Sequence, residues 1–208
     1  MKLYYFETPN AHKACAVARY LDAPVEFVRV DLTKGEHKAP TFLAINPNGK
    51  VPALEDGEMR LWESAAIMAY LADKAGSDLW PKDARQIDVI RWLTWDAMHF
   101  SRHAGTLFFE QVVKPRFGLG EPNLAAIDEA KGFFRQFAGV VDSHLKGRKY
   151  LVGDGLTIAD FAVGSLLPHA RAAKLPIDEF AEISRWYAQL EEIPGWQEPF
   201  PRQEANAA

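Results

Sequence analysis

A chain of 208 residues with 48% apolar, 12% aromatic and 25% charged side chains has room for one large domain or two small ones and the composition of an ordinary globular protein. Its 24 basic and 28 acidic residues leave a net charge of −4, and the basic residues are scattered singly, which excludes the clustered positive face that nucleic acid demands. No apolar run approaches the roughly 20 residues that span a bilayer, the first residues lack a signal-peptide hydrophobic stretch, and a lone Cys15 excludes an intrachain disulfide and any Cys-x-x-Cys motif. The expected setting is the cytoplasm, with neither nucleic acid nor membrane as a partner.

The first elements alternate between the periods of strand and helix. Leu3 to Phe6 reads as a short aromatic strand running into the turn Glu7-Thr8-Pro9-Asn10. From His12 the apolar positions Ala14, Val17, Ala18 and Leu21 follow the i, i+3, i+4, i+7 rule, with His12-Lys13 either reaching toward a ligand carboxylate or, more simply, forming a solvated helix start, and Asp22-Ala23-Pro24 stops the helix. Val25 to Leu32 is rich in strand formers and completes a βαβ unit, whose right-handed crossover would make the two strands parallel neighbours. A short helix over Pro40 to Ile45 ends at Asn46-Pro47-Asn48-Gly49. Val51 to Glu55 and Glu58 to Trp62 then flank Asp56-Gly57, a strong hairpin signal, and Ser64 opens another helix with Ile67, Met68 and Leu71 on one face.

After a break rich in Gly, Ser, Asp and Pro, no convincing strand follows. Ala84 to about Val113, Leu124 to about Leu145, Ile158 to about Ala173 and Glu179 to about Ile193 all read as helices. Residues 1–78 are thus expected as a small α/β domain of order βαβαββα, and residues 85–200 as an all-helical bundle.

The most informative stretch is Asn46-Pro47-Asn48-Gly49-Lys50-Val51-Pro52-Ala53-Leu54, followed after the hairpin by Glu63-Ser64. A proline heading a strand is where a cis peptide is least costly, so Pro52 is a candidate cis-proline. A cis bond there would turn the Val51 main chain outward to pair with an extended peptide. Ser64, between strand and helix, combines a hydroxyl with free N–H groups into a small anion site suited to an α-carboxylate, and Glu63 is placed to take the adjacent amino group. His37-Lys38 offers cationic donors for a second carboxylate. A tripeptide with an amino-acid terminus at one end and a carboxylate at the other matches all three features.

Asn46 to Leu54 resembles the glutathione transferase signature, and Gly35-Glu36-His37-Lys38 with Asn46-Pro47-x-Gly49 is particularly similar to the phi class. The resemblance covers the whole chain, since Leu151 to Asp160 resembles the family's C-terminal motif; within it Thr157 and Asp160 have capping-box spacing. It implies a thioredoxin-like N-terminal domain, an all-α C-terminal bundle and a homodimer. It also implies that Val51 pairs with the cysteinyl main chain of glutathione, that Glu63 and Ser64 hold the γ-glutamyl group, and that His37 and Lys38 hold the glycine carboxylate. Lys50 stands where family members often carry Gln, and either adds a charge to this site or points into water.

Free glutathione has a thiol pKa near 8.5, so a protein that uses its thiolate must stabilise the anion, by a donor aimed at sulfur and by the start of the first helix. The family's usual Tyr, Ser or Cys is missing from the loop Thr8-Pro9-Asn10-Ala11-His12-Lys13. That string is similar to the bacterial nu class, whose members use Thr and Asn at the sulfur, so Thr8 and Asn10 are the candidate catalytic residues, unless they only cap the helix.

The expected activity is that of a glutathione transferase directing the thiolate at a small apolar electrophile, with detoxification as the family role. A nu-type disulfide reductase or peroxidase and a non-enzymatic glutathione carrier are the alternatives. Cys15, about a turn into the first helix, reads as a buried structural thiol. Asp96, His99 and His103 share a helix face, but no further ligand supports a metal, and none is expected. Trp92, Trp95, His99 and His103 form an aromatic stripe that is either core or the wall of a second-substrate pocket.

Overall fold

The computed structural model describes residues 1–202. They fall into two compact units, one of residues 1–77 joined by those from Glu191 onward, the other Asp78–Leu190.

In the first unit, β1 (Lys2–Tyr5), α1 (Pro9–Tyr20) and β2 (Glu26–Arg29) form the βαβ unit, α2 (Pro40–Leu43) follows, β3 (Ala53–Asp56) and β4 (Met59–Trp62) form the hairpin, and α3 (Ser64–Lys74) closes the series. The sheet order is β2-β1-β3-β4, with β1 parallel to β2 and antiparallel to β3. This is the thioredoxin-like arrangement. Leu3 pairs with Leu54, both fully buried. The α1 segment Ala11 to Ala18 is buried throughout, because α3 packs on the helix from one side and α10 (Pro194–Gln197) from another.

The hairpin turn differs from the expected Asp56-Gly57 by one residue. Asp56 stays in the ladder opposite Met59, leaving Gly57 and Glu58 as the turn. The Asp56 carboxylate accepts from the Tyr70 hydroxyl at 2.6 Å and pairs with Lys74, which ties it to α3.

The second unit is helical. Its first helix, α4 (Arg85–Trp95), runs through a π-helical turn (Asp96–Phe100) into α5 (Ser101–Phe108), then through a second π-helical turn (Phe109–Val113) into α6 (Lys114–Phe117). α7 (Leu124–Leu145), α8 (Ile158–Gly164) and α9 (Ala181–Glu191) follow. The helix expected as far as Ala173 ends at Gly164, because Pro168 has no N–H to give the Gly164 carbonyl and its ring would clash there; Leu167–His169 forms a single 3₁₀ turn instead. The core includes Phe100, Phe134, Phe161 and Trp186, each fully buried.

The sequence groups residues 85–200 in one helical domain, whereas the structure returns the segment from Glu191 onward to the first unit. Trp196 lies edge-on to His12 at 4.6 Å, and Phe200 stacks on Tyr5 at 5.4 Å. Gly195 permits the approach, since a Cβ there would lie 2.8 Å from Arg19 Cβ. His12 and Lys13 do not form a solvated helix start, being only 8% and 6% exposed, with Trp196 and Phe200 covering His12.

Candidate functional site

The local sequence leaves two helix N-termini with donors to spare. At α1, Thr8 is the N-cap and its hydroxyl accepts from Ala11 N–H at 3.4 Å, while Pro9 fills the first helical position without needing a donor. Among the described residues, the Asn10 N–H and carboxamide have no partner. At α3 the N-cap is Glu63, whose side chain makes no capping bond, and no described residue partners the N–H groups of Ser64, Ala65 and Ala66. Helix N-termini of this kind attract anions through unpaired N–H groups and the positive end of the macrodipole. Glu63 sits at φ 71°, ψ 118°, a left-handed backbone that costs a non-glycine residue about 1–3 kcal/mol.

The loop between α2 and β3 faces both termini. Asn46 is 2% exposed, and its carboxamide spans the loop. Nδ2 donates to the Lys50 carbonyl at 2.6 Å, and Oδ1 accepts from Asn48 N–H and Nδ2 at 3.0 Å each. Gly49 takes φ 57°, and a Cβ would come within 3.0 Å of the His37 carbonyl oxygen and 3.1 Å of Lys38 Nζ, so this turn requires glycine. The Val51–Pro52 peptide is cis. Among the described residues, neither the N–H nor the C=O of Val51 is paired with another backbone group.

These parts converge on one cleft of about 190 Å³. Asn10, Lys50, Val51, Pro52, Glu63 and Ser64 line it, joined by Asn46 and Asn48, to which the sequence reading gave no role of their own. The Asn-Pro-Asn-Gly string signals a turn, but that Asn46 binds across it emerges only from the fold. Thr8 stands at the cap of α1, outside the cleft lining. His37 and Lys38 lie against Gly49 rather than in the cleft wall, and His37 Nδ1 is buried without a hydrogen-bond partner. The cleft thus offers an exposed carboxamide, an unpaired extended main chain, an anion-binding helix start and an exposed carboxylate at Glu63.

Cys15 is fully buried, and burial pushes its thiol pKa well up, so it holds its proton at neutral pH. The aromatic stripe lies in the second unit. Trp92 packs on His144 at 4.7 Å, His99 on Phe137 at 4.8 Å, and His103 stacks on Phe133 at 4.7 Å. His99 and His103, with Met98, Arg102, Phe133 and Phe137, line a second hollow of about 490 Å³. Asp96 is turned away into the core, 1% exposed and accepting from Ser101 Oγ at 2.7 Å, since the π-helical turn that begins there shifts the phase of the helix.

Comparison with known proteins places these features in a family. Residues 1–73 match the glutathione S-transferase N-terminal domain and residues 102–194 the glutathione S-transferase C-terminal domain. Glutathione S-transferase 3 of Zea mays is 36% identical over 205 residues, 95% of this chain and 91% of that protein. The solved structure of maize glutathione S-transferase I in complex with an atrazine glutathione conjugate is 28% identical, with a TM-score of 0.86 over 95% of each chain. A glutathione transferase family member from Pseudomonas fluorescens, solved with two glutathione bound, is 28% identical, with a TM-score of 0.86 over 95% of this chain and 91% of that one. With a thioredoxin-like first unit, a helical second one and both domain matches, the chain belongs to the glutathione S-transferase family.

Proposed function

We propose that this glutathione transferase holds glutathione in the cleft of the first unit, with Asn10 as the donor at the sulfur. The observation that carries the reading is the convergence of two unsatisfied helix N-termini and the unpaired Val51 main chain on one cleft. The γ-glutamyl carboxylate is assigned to Ser64 and the free N–H groups of α3, and its amino group to Glu63. The cysteinyl residue is assigned to Val51 as an added strand, next to Pro52. The glycine carboxylate is assigned to Lys38 and His37, whose unpartnered ring nitrogen supports a role in holding a ligand, with Lys50 beside them. Relatives solved with glutathione or its conjugate support the ligand.

On this reading the chemistry belongs to the bound thiol, and the protein orients and ionises it. The Asn10 carboxamide and the start of α1 stabilise the thiolate as the proton leaves to solvent, and the sulfur lone pair then attacks an electrophilic carbon while the leaving group departs with its electrons. Thr8 supports the loop as a cap. Attack on a disulfide sulfur, the nu-type reductase or peroxidase reaction, is a second reading. The absence of Tyr, Ser and Cys from residues 8–13 favours it, as does a 25% identical Pseudomonas putida transferase structure with bound glutathione disulfide. Activity on a haloarene against activity on a small disulfide separates the two. The enzyme is assigned to the cytoplasm, as a homodimer, with a detoxification role; no described helix is long and apolar enough to cross a membrane.

The test is a titration of glutathione into wild type and into a Thr8→Ala, Asn10→Ala double variant, following thiolate absorbance across pH. The reading requires wild type to bind and to ionise the thiol well below its free pKa, and the variant to bind without that shift. If both bind a thiol that stays protonated at neutral pH, the loop only caps the helix and the catalytic assignment fails.

A further inference from the structure

We infer that Asn46 is a positioning residue for glutathione, acting through the peptide plane between Lys50 and Val51; this rests on the reading of the cleft as the glutathione site. The Lys50–Val51 peptide is trans, so the Lys50 C=O and the Val51 N–H point in opposite directions within one rigid plane. The buried Asn46 Nδ2 holds the Lys50 carbonyl at 2.6 Å. That bond rotates the Val51 N–H away from Asn46 and leaves it unpaired, presented to the main chain of the ligand.

Asn46 is itself locked. Its Oδ1 accepts twice from Asn48, at 3.0 Å from both N–H and Nδ2, so the carboxamide cannot turn without losing all three bonds. The same loop is pinned at Gly49, which presses on the 36–38 turn. A free loop would let the Lys50–Val51 plane rotate, and each binding event would have to freeze it; here the folded chain has already fixed it. Asparagine is suited to the task because it gives one donor to Lys50 and two lone pairs to Asn48, whereas an aspartate of the same shape has no donor and sets a negative charge against the Lys50 carbonyl.

The test compares wild type with Asn46→Asp by calorimetric titration of glutathione and of its depsipeptide analogue. In the analogue the cysteinyl–glycyl amide is an ester, and its carbonyl accepts more weakly. Wild type is expected to bind the analogue about tenfold more weakly than glutathione, and Asn46→Asp to bind glutathione about tenfold more weakly while barely distinguishing the two ligands. The variant's KM for glutathione rises accordingly, with the KM for the electrophile and the thiol pKa of the saturated complex unchanged. Equal glutathione affinity in the two proteins, or an unchanged preference for the amide in the variant, overturns the inference alone. No binding of glutathione by wild type overturns the reading of the cleft and the inference with it. Should Asn46→Asp fail to fold, amide hydrogen exchange on wild type decides: the Val51 N–H is expected to become protected when glutathione binds, and a Val51 N–H that still exchanges freely while glutathione is bound overturns the assignment of the cysteinyl residue to Val51 and the inference with it.

Discussion

The helices α3 and α8 begin in opposite ways. At α8 the fully buried Asp160 gathers four donors: Leu151 N–H at 3.0 Å, Thr157 N–H at 2.9 Å, Thr157 Oγ1 at 3.1 Å and Trp186 Nε1 at 3.0 Å. At α3 the first three N–H groups have no partner among the described residues, and the N-cap residue Glu63 is held in a left-handed backbone. The first terminus is closed by the protein itself, and its bonds stabilise the fold. The second is left open beside a cap residue in a strained backbone, and on the proposed reading it is glutathione that completes it. Two sites built from the same elementary object, a helix start, can thus be told apart by asking who satisfies the donors.

The sharpest way to break this contrast is at its closed end. Asp160→Ala leaves those donors buried and unsatisfied, and should cost about 3–5 kcal/mol. Urea unfolding followed through tryptophan fluorescence measures it, and a saturating ligand at the other site offsets only part: about 2.7 kcal/mol at a hundred times its Kd. At the open end the loss should appear in binding and not in folding. Ser64→Ala removes a hydrogen bond to a charged group, about 1.5–3 kcal/mol, so glutathione affinity should fall by roughly ten- to a hundredfold in calorimetry while the urea midpoint barely moves.

Between these lies α1, where the cap and the proposed sulfur donor are neighbours. Asn10→Ala should raise the pKa of the bound thiol by about 1–2 units, the worth of one charge-assisted hydrogen bond, read from thiolate absorbance. Thr8→Ala should instead cost about 1 kcal/mol of stability as a lost N-cap and leave the thiol pKa nearly in place. Glu63→Gly sharpens the comparison further, because it should raise stability by about 1 kcal/mol through relief of the positive φ while weakening glutathione binding. A thermal unfolding series with and without ligand shows both signs at once.

The smallest effect concerns pH in the second unit. Burial holds the His169 imidazole below its usual pKa, so the unfolded chain binds the proton more readily than the folded one. The stabilisation is complete above about pH 6.5 and is lost as pH falls from there through the folded value. Wild type should therefore lose slightly more melting temperature between pH 7.5 and 5.5 than His169→Gln does.

The alternating periods of the first 75 residues made the βαβ unit and the hairpin legible, because each strand there is short, one-sided and bounded by turn residues. The cleft was legible where its chemistry resides in residue types that mean something alone: Val51-Pro52, Glu63-Ser64 and Asn10. Asn46 was quoted only as part of a motif, since its work is a bond across five residues of turn. The π-helical turns at Asp96–Phe100 and Phe109–Val113 left no trace in the pattern. They keep the chain helical and change only its phase, which is why Asp96 parts company with His99. The return of the segment after Glu191 was equally hidden, because Gly195 matters only through Arg19, which is remote in sequence.

That return has a consequence for how the chain is made. The ribosome delivers the first unit's sheet and α1 to α3 early, yet the side of α1 that Trp196 and Phe200 cover stays bare until the segment after Glu191 emerges. At ~5–20 residues per second the nascent domain waits on the order of ten seconds with α1 half dressed. The helix that carries Asn10 is thus completed only when the segment after Glu191 arrives, and a ribosome that stops at residue 190 releases a first unit still lacking that layer.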